Sequence, residues 1–111
     1  MKIITAMVQP FMLSKVTQAL EEIEGFPGMT ITKARGFGRR ITEPEQHALI
    51  FGDFKEKARI EIVARDEMVD QIVETLVRAA HTGNDGDGKV FVWPVECAIR
   101  IQTGETDDAA I

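Results

Sequence analysis

The stretch from Thr82 to Lys89, here called the glycine loop, places three glycines and a lysine ahead of the apolar run Val-Phe-Val. Glycine lets a backbone turn tightly or approach a ligand closely, and successive N–H groups in such a loop can form a concave anion site. The Lys89 ammonium is a point charge suited to a phosphate. These residues predict a phosphate-binding loop. The alternative is an ordinary Gly/Asp turn that joins a helix to a strand.

The spacing from Gly83 to Lys89 matches the first part of a P-loop, but two features depart from that motif. Val90 follows the lysine, where a P-loop has the serine or threonine that binds magnesium. A P-loop also runs from strand to helix, whereas here a helical pattern comes first and a strand pattern follows. The sequence therefore indicates phosphate binding outside the P-loop fold.

Length, composition and charge limit the classes of function. The chain has 111 residues and is 44% apolar, so we expect one domain with its own core, residues 1–111. A net charge of -5 argues against nucleic-acid binding, which needs a basic face. One cysteine fits a reducing compartment, and no apolar run reaches membrane-spanning length. We therefore expect a cytoplasmic protein that is not itself a membrane protein.

Hydrophobic periodicity predicts the elements that position the glycine loop. The predicted strands are Ile3–Val8, Met29–Phe37, Ala58–Ala64 and Val90–Trp93, with a further extended piece at Val95–Gln102. The predicted helices are Leu13–Glu24 and a second one between the N-cap Asp66 and His81. This order predicts an α+β ferredoxin-like βαββαβ sandwich, with two helices on one face of a four-stranded antiparallel sheet. Since the other face has no cover within the chain, we expect another subunit to cover it.

The segment from Arg40 to Phe54 has no clean period, and a loop of this length in a compact domain is usually functional. Its apolar patch, Ala48–Phe51, predicts a contact with a protein partner. The alternative is an ordinary hairpin made by extensions of the flanking strands.

Several blocks of the chain resemble the PII signal-transduction proteins, and together they cover nearly its whole length. These blocks are Pro10-Phe11, Gly28–Thr30, Gly36–Arg39, Arg59–Val63, the glycine loop through Val92, Arg100-Ile101 and the tail Thr103–Ile111. The resemblance implies a ferredoxin-like homotrimer with ATP or ADP bound between subunits. It also implies a T-loop, about residues 39–55, that docks on enzymes or membrane transporters, mostly in nitrogen metabolism.

The resemblance also implies a site, residue by residue. The loop Gly86–Lys89 would wrap the phosphates, with charge added by Arg39 and by Arg100 from the neighbouring subunit. Thr30 and Val63 would lie near the adenine, and two glycines would let the backbone approach. The implied nucleotide-binding set is Thr30, Gly36, Gly38, Arg39, Val63, Gly86, Asp87, Gly88, Lys89 and Arg100. The implied partner-binding residues of the T-loop are Arg40, Leu49, Ile50, Phe51 and Phe54.

The chain departs from the family pattern at several positions. It has no tyrosine, and its only serine, Ser14, lies in the first helix region, so the T-loop tyrosine or serine that relatives have modified is absent. Arg40 stands where relatives have a glutamine that helps to bind magnesium and 2-oxoglutarate, although Lys57 matches a lysine that contacts 2-oxoglutarate. Gln102 replaces a second phosphate-binding arginine. We therefore do not expect 2-oxoglutarate sensing by the usual route, and magnesium is left open.

Three functions fit this sequence to different degrees. The first is a trimeric regulator that binds ATP or ADP and reports it to a protein partner through the T-loop. The second is an adaptor on the same fold, linked to another process such as metal transport, with weak or no nucleotide sensing. The third, a slow nucleotide hydrolase, is disfavoured because no nucleophile–base pair is visible and Asp87 is its only candidate. We predict no catalytic residue and no metal site.

Overall fold

The computed structural model describes residues 1–37 and 54–111. The predictions at Gly38, Arg39, Arg40, Leu49, Ile50 and Phe51 lie outside these residues. The described chain contains, in order, β1 (Lys2–Val8), α1 (Leu13–Glu21), β2 (Thr30–Gly36), β3 (Lys55–Ala64), α2 (Asp66–Ala80) and β4 (Gly88–Pro94). Two short 3-10 helices, Pro10–Met12 and Asp107–Ala110, precede α1 and end the chain.

The four strands form one sheet in the order β2-β3-β1-β4, and every neighbouring pair is antiparallel. The first strand therefore lies in the middle of the sheet, and the last strand forms one edge. This is the ferredoxin-like arrangement that the order of the elements predicted, so that prediction is confirmed.

The core lies between the two helices and one face of the sheet. Alternate residues of β1 and β3 point to that face. In β3, Ile60 and Ile62 are therefore fully buried while their chain neighbours are only partly buried, and Ile4 of β1 is fully buried on the same side. The helices contribute residues at helical spacing, such as Val16, Leu20, Ile72 and Leu76. Burying each aliphatic side chain of this size stabilises the fold by about 1.5–3 kcal/mol, so this face holds the sheet and helices together.

The opposite face of the sheet, here called the open face, carries Ile3, Thr5 and Met7 on β1 and their paired residues on β3 and β4. Phe91 and Trp93 lie on it and remain 53% and 51% exposed. The Trp93 indole Nε1 donates a hydrogen bond to Thr5 Oγ1 at 3.3 Å. Two half-exposed aromatic rings side by side agree with the expected cover by another subunit, which stays a prediction.

Two helix boundaries differ from the sequence predictions. Helix α1 ends at Glu21 and not at Glu24, because the chain tightens into turns in which the N–H of Ile23 donates to Leu20. Asp66 does not cap α2 but begins it, and its carboxylate instead accepts a 2.8 Å bond from the Met1 ammonium. That bond and that charge lower the pKa of Asp66. A charged donor forms a stronger hydrogen bond than a backbone amide, which explains why the Asp66 carboxylate bonds to Met1 and does not cap the helix.

The segment after β4 was predicted to be extended as far as Gln102, and this prediction is wrong at its end. Residues 101 and 102 belong to a turn, and before it the only pairing within this described segment is the isolated bridge of Ile99 with Thr106. The N–H of Gly104 donates to the carbonyl of Arg100 at 2.7 Å, which closes a tight reversal. No described helix is both long enough and apolar enough to span a bilayer.

Candidate functional site

The glycine loop connects the end of α2 to the start of β4, and Asp87 holds its first turn together. The Asp87 carboxylate accepts hydrogen bonds from the N–H groups of Thr82, at 2.7 Å, and Gly83, at 3.0 Å, and a short one from the Thr82 hydroxyl. These hydrogen bonds lower the pKa of Asp87, and the bond from the Thr82 hydroxyl has the largest effect. The contact of Thr82 with Asp87 was not predicted from the sequence. The signal was the tendency of Asp and Thr side chains to bond nearby backbone groups in loops.

The second support of the loop comes from β3. The ammonium of Lys57 donates to the carbonyl oxygen of Gly86 at 2.6 Å. Because a trans peptide group is planar, its N–H points opposite to its C=O, so the N–H of Asp87 is directed away from Lys57. Gly86 has φ +86°, and a Cβ there would lie 3.1 Å from Gln9 Nε2. The loop therefore has a specified backbone shape and is more than a loose connection.

Gly88 is required by the sheet itself. Its φ is +113°, and a Cβ at this position would lie 1.7 Å from the carbonyl oxygen of Met7 in β1. Gly88 pairs with Val8, so the close approach is between two backbones within the β1–β4 ladder. The resemblance implied that Gly88 contacts a ligand. The steric role of Gly88 in the sheet is independent of any ligand.

Several predicted site residues share the open face. Directly paired residues in a sheet point to the same side, and Lys89 pairs with Met7 while Val63 pairs with Ile3. Thr30 pairs with Glu61, which alternates with buried residues and also belongs to this face. At the end of β2, a Cβ on Gly36 would lie 3.7 Å from Lys57 Cγ, so the lysine stem packs against this glycine.

Lys89 and Arg100 do not meet within one chain. Strand β4 extends from Gly88 to Pro94. At roughly 3.3 Å per residue, Lys89 and Pro94 are about 17 Å apart. Arg100 lies beyond the Pro94 end.

The segment that contains Arg100 is fastened at that end. The N–H of Asp107 donates to Ala98 O at 2.7 Å, and Arg65 Nη2 donates to Asp108 O at 3.2 Å. Arg65 directly follows the end of β3, where Ala64 pairs with Lys2 of β1. Arg100 is therefore kept at the opposite end of the sheet from the glycine loop.

The predicted partner residue Phe54 directly precedes β3. Its ring centroid is 5.7 Å from that of Phe37, and the Arg35 guanidinium lies 5.8 Å from the Phe54 ring centre. Phe54 is 55% exposed and Phe37 43% exposed. The two rings face each other where the described chain ends at residue 37 and resumes at residue 54.

The described residues contain no group of three or more His, Cys, Asp or Glu side chains placed to hold a metal ion. Cys97 is exposed. His81 Nδ1 lies 3.7 Å from Asp87 Oδ2, beside the first turn of the glycine loop.

Comparison with known proteins gives a match over most of the chain. The family described as Nitrogen regulatory protein P-II matches residues 1–105. The nitrogen regulatory protein P-II of Klebsiella oxytoca and the nitrogen regulatory protein P-II 1 of Escherichia coli K12 are each 50% identical over 113 positions, covering 100% of both chains. The solved structure of Arabidopsis thaliana PII bound to citrate has a TM-score of 0.83 and 34% identity, over 99% of this chain and 91% of that one. The match includes the glycine loop and Arg100.

Proposed function

This chain belongs to the nitrogen regulatory protein P-II family, and we propose that it is a non-catalytic regulator that binds ATP or ADP between the subunits of a homotrimer. Nucleotide identity is passed to a protein partner, an enzyme or a transporter, through the T-loop. The names of the relatives point to nitrogen control as the process.

The observation that carries the proposal is the placement of Lys89 and Arg100 at opposite ends of the sheet. The chain has a net charge of -5, so a phosphate needs a local cluster of cations. One chain cannot bring these two side chains together, whereas Arg100 of a second chain can approach the glycine loop of the first. The open face, which carries Thr30, Val63 and Lys89, is then the surface on which the second chain lies.

A ring of subunits is consistent with the kind of contact involved. The loop end of one chain would meet the Arg100 end of another, which is a heterologous contact, and such contacts form a ring when their rotation closes. Three copies is the number that the family resemblance implies. In such a ring Phe91 and Trp93 are covered, which accounts for two aromatic rings on the surface of a single chain.

The expected affinity is in the micromolar range. A hydrogen bond to a charged group contributes about 1.5–3 kcal/mol, and these contributions do not add strictly. A few such bonds from loop amides and cations, together with burial of the adenine, reach about -8 kcal/mol, which corresponds to micromolar binding.

Lys57 supports a route from the nucleotide to the T-loop. Its ammonium contacts Gly86 in the glycine loop, and its stem packs on Gly36 at the end of β2, next to the T-loop. A ligand shifts the T-loop only if it interacts unequally with two loop states. ATP has one phosphate more than ADP, and the glycine loop would contact this phosphate. We leave 2-oxoglutarate out of the proposal because Arg40 replaces the glutamine that relatives use for it.

Lys89→Ala tests the phosphate assignment. Removing this cation is expected to abolish measurable ATP and ADP binding in titration calorimetry, because the phosphates lose a charge-assisted contact in an acidic protein. Lys33→Ala is the matched control: Lys33 is exposed and pairs with the buried Ala58, so it faces away from the open face. The control should keep its affinity within about twofold. An unchanged affinity in Lys89→Ala would rule out the phosphate assignment.

The second candidate is an adaptor on the same fold with little nucleotide sensing. It is favoured by Gln102, which stands where the family usually has a phosphate-binding arginine and is exposed in this chain. Calorimetry of the wild-type protein with ATP, ADP and AMP, each with and without 2-oxoglutarate, separates the two candidates. No heat at millimolar nucleotide would select the adaptor.

A further inference from the structure

We propose that Asp87 is a positioning residue that shapes the glycine loop for an anion and contacts neither the phosphate nor its metal ion. The proposal rests on the proposed function and changes the role of one residue in that site. The resemblance places Asp87 among the nucleotide-binding residues. The geometry points to an indirect role.

The carboxylate of Asp87 is directed back across the loop and is already occupied. Oδ2 accepts the N–H groups of Thr82 and Gly83, and Oδ1 accepts the Thr82 hydroxyl. The Thr82 oxygen in turn accepts the N–H of Asn84 at 3.2 Å, so the bonds form a short network through the first turn. The Asp87 side chain is 23% exposed.

This arrangement separates the N–H groups of the loop into two sets. Those of Thr82, Gly83 and Asn84 are used within the loop. In the part of the chain that is described, residues 85 and 86 form the turn that ends at Asp87, and the N–H of Gly86 donates to no other residue. Since an unpaired backbone N–H group requires a partner, the Gly86 N–H is available to an anionic ligand.

The charge of Asp87 supports the same role. A carboxylate facing a phosphate would repel it, whereas here the negative charge is directed onto backbone and hydroxyl donors. Asp85 provides a contrast within the same loop, because it is exposed and makes no hydrogen bond or ion pair in the described chain. The two aspartates carry equal charge and differ in their bonds.

The test compares Asp87→Asn with the matched control Asp85→Asn, and Thr82→Val with the conservative Thr82→Ser. The first readout is hydrogen exchange of the Thr82 and Gly83 amides by NMR. We expect exchange at least tenfold faster in Asp87→Asn, because a neutral acceptor bonds more weakly than a charged one. Asp85→Asn should exchange like the wild type.

The second readout is the dissociation constant for ATP, measured with and without magnesium. Asp87→Asn and Thr82→Val should each weaken binding about tenfold, equally with and without magnesium, while Asp85→Asn and Thr82→Ser stay within about twofold of the wild type. Circular dichroism should show each variant folded.

Two outcomes would overturn the positioning role alone. One is a loss of ATP affinity in Asp87→Asn that appears only with magnesium, which would make Asp87 a metal ligand. The other is tighter ATP binding with unchanged amide exchange, which would make the carboxylate a source of repulsion. If the wild-type protein binds no nucleotide, the proposed function fails and the positioning role fails with it.

Discussion

Gly88→Ala is expected to destabilise the protein by about 3 kcal/mol or more, because the added methyl group has no space and the backbone has the wrong φ. The new Cβ would lie 1.7 Å from Met7 O and 2.7 Å from Met7 C, and both atoms belong to the backbone of the central strand. No flexible side chain can move aside there. Relief requires β4 to shift away from β1, which breaks their ladder and moves Lys89.

Gly104→Ala is the matched control for this prediction. Gly104 has φ +74° and nothing within 4 Å of its Cβ position, so alanine there meets only the backbone penalty of about 1–2 kcal/mol. The measurement is the urea midpoint, taken at one fixed protein concentration because assembly also contributes to apparent stability. An equal loss of stability in the two variants would show that the contact with Met7 adds nothing to the cost of the Gly88 substitution.

Trp93→Asp is expected to separate the assembly into monomers that keep their fold. The side chain is 51% exposed on the open face, where a subunit interface would bury it beside Phe91. A central tryptophan in an interface contributes about 2 kcal/mol or more, and an unpaired buried carboxylate adds a further cost. The association constant should therefore fall by at least roughly thirtyfold for each interface of the ring.

The measurement is sedimentation equilibrium over a range of protein concentrations, with circular dichroism to establish that the variant is folded. Val77→Asp serves as the control, because Val77 is 54% exposed on α2 and thus lies on the helical side of the molecule. This variant should assemble like the wild type. If the Trp93→Asp protein remains trimeric at micromolar concentration, the open face is not part of the subunit interface.

The sequence was sufficient for the fold because most elements follow a simple period. Alternation in β3 and helical spacing in α2 each reflect one buried face, and their order restricts the topology. The errors occur where local bonds compete with the pattern. Asp66 satisfies the cap rule by type, yet the Met1 ammonium takes its carboxylate. The segment after Pro94 was predicted to be extended as far as Gln102, whereas the turn closed by the Gly104 N–H on Arg100 O ends it earlier.

The candidate site was predictable in its residue types and less so in their roles. Glycine spacing and Lys89 identified the loop. A glycine is equally suited to a ligand and to a neighbouring backbone, and only the structure places Met7 against Gly88. An aspartate likewise accepts bonds from a loop as readily as it binds a cation, so the contact with Thr82 could not be derived from spacing. The Arg39 prediction lies outside the described residues.

The length of β4 has a genetic consequence. Because Lys89 lies at the start of this strand and Arg100 lies beyond its other end, a pocket shared between subunits would take each of them from a different polypeptide. Two inactive alleles, one lacking only Lys89 and the other lacking only Arg100, would then complement each other when co-expressed. In a mixed ring, some pockets would take Lys89 from the chain that lacks Arg100, and Arg100 from the chain that lacks Lys89. Those pockets would be intact, so a cell carrying both alleles would recover part of the response that neither allele restores alone.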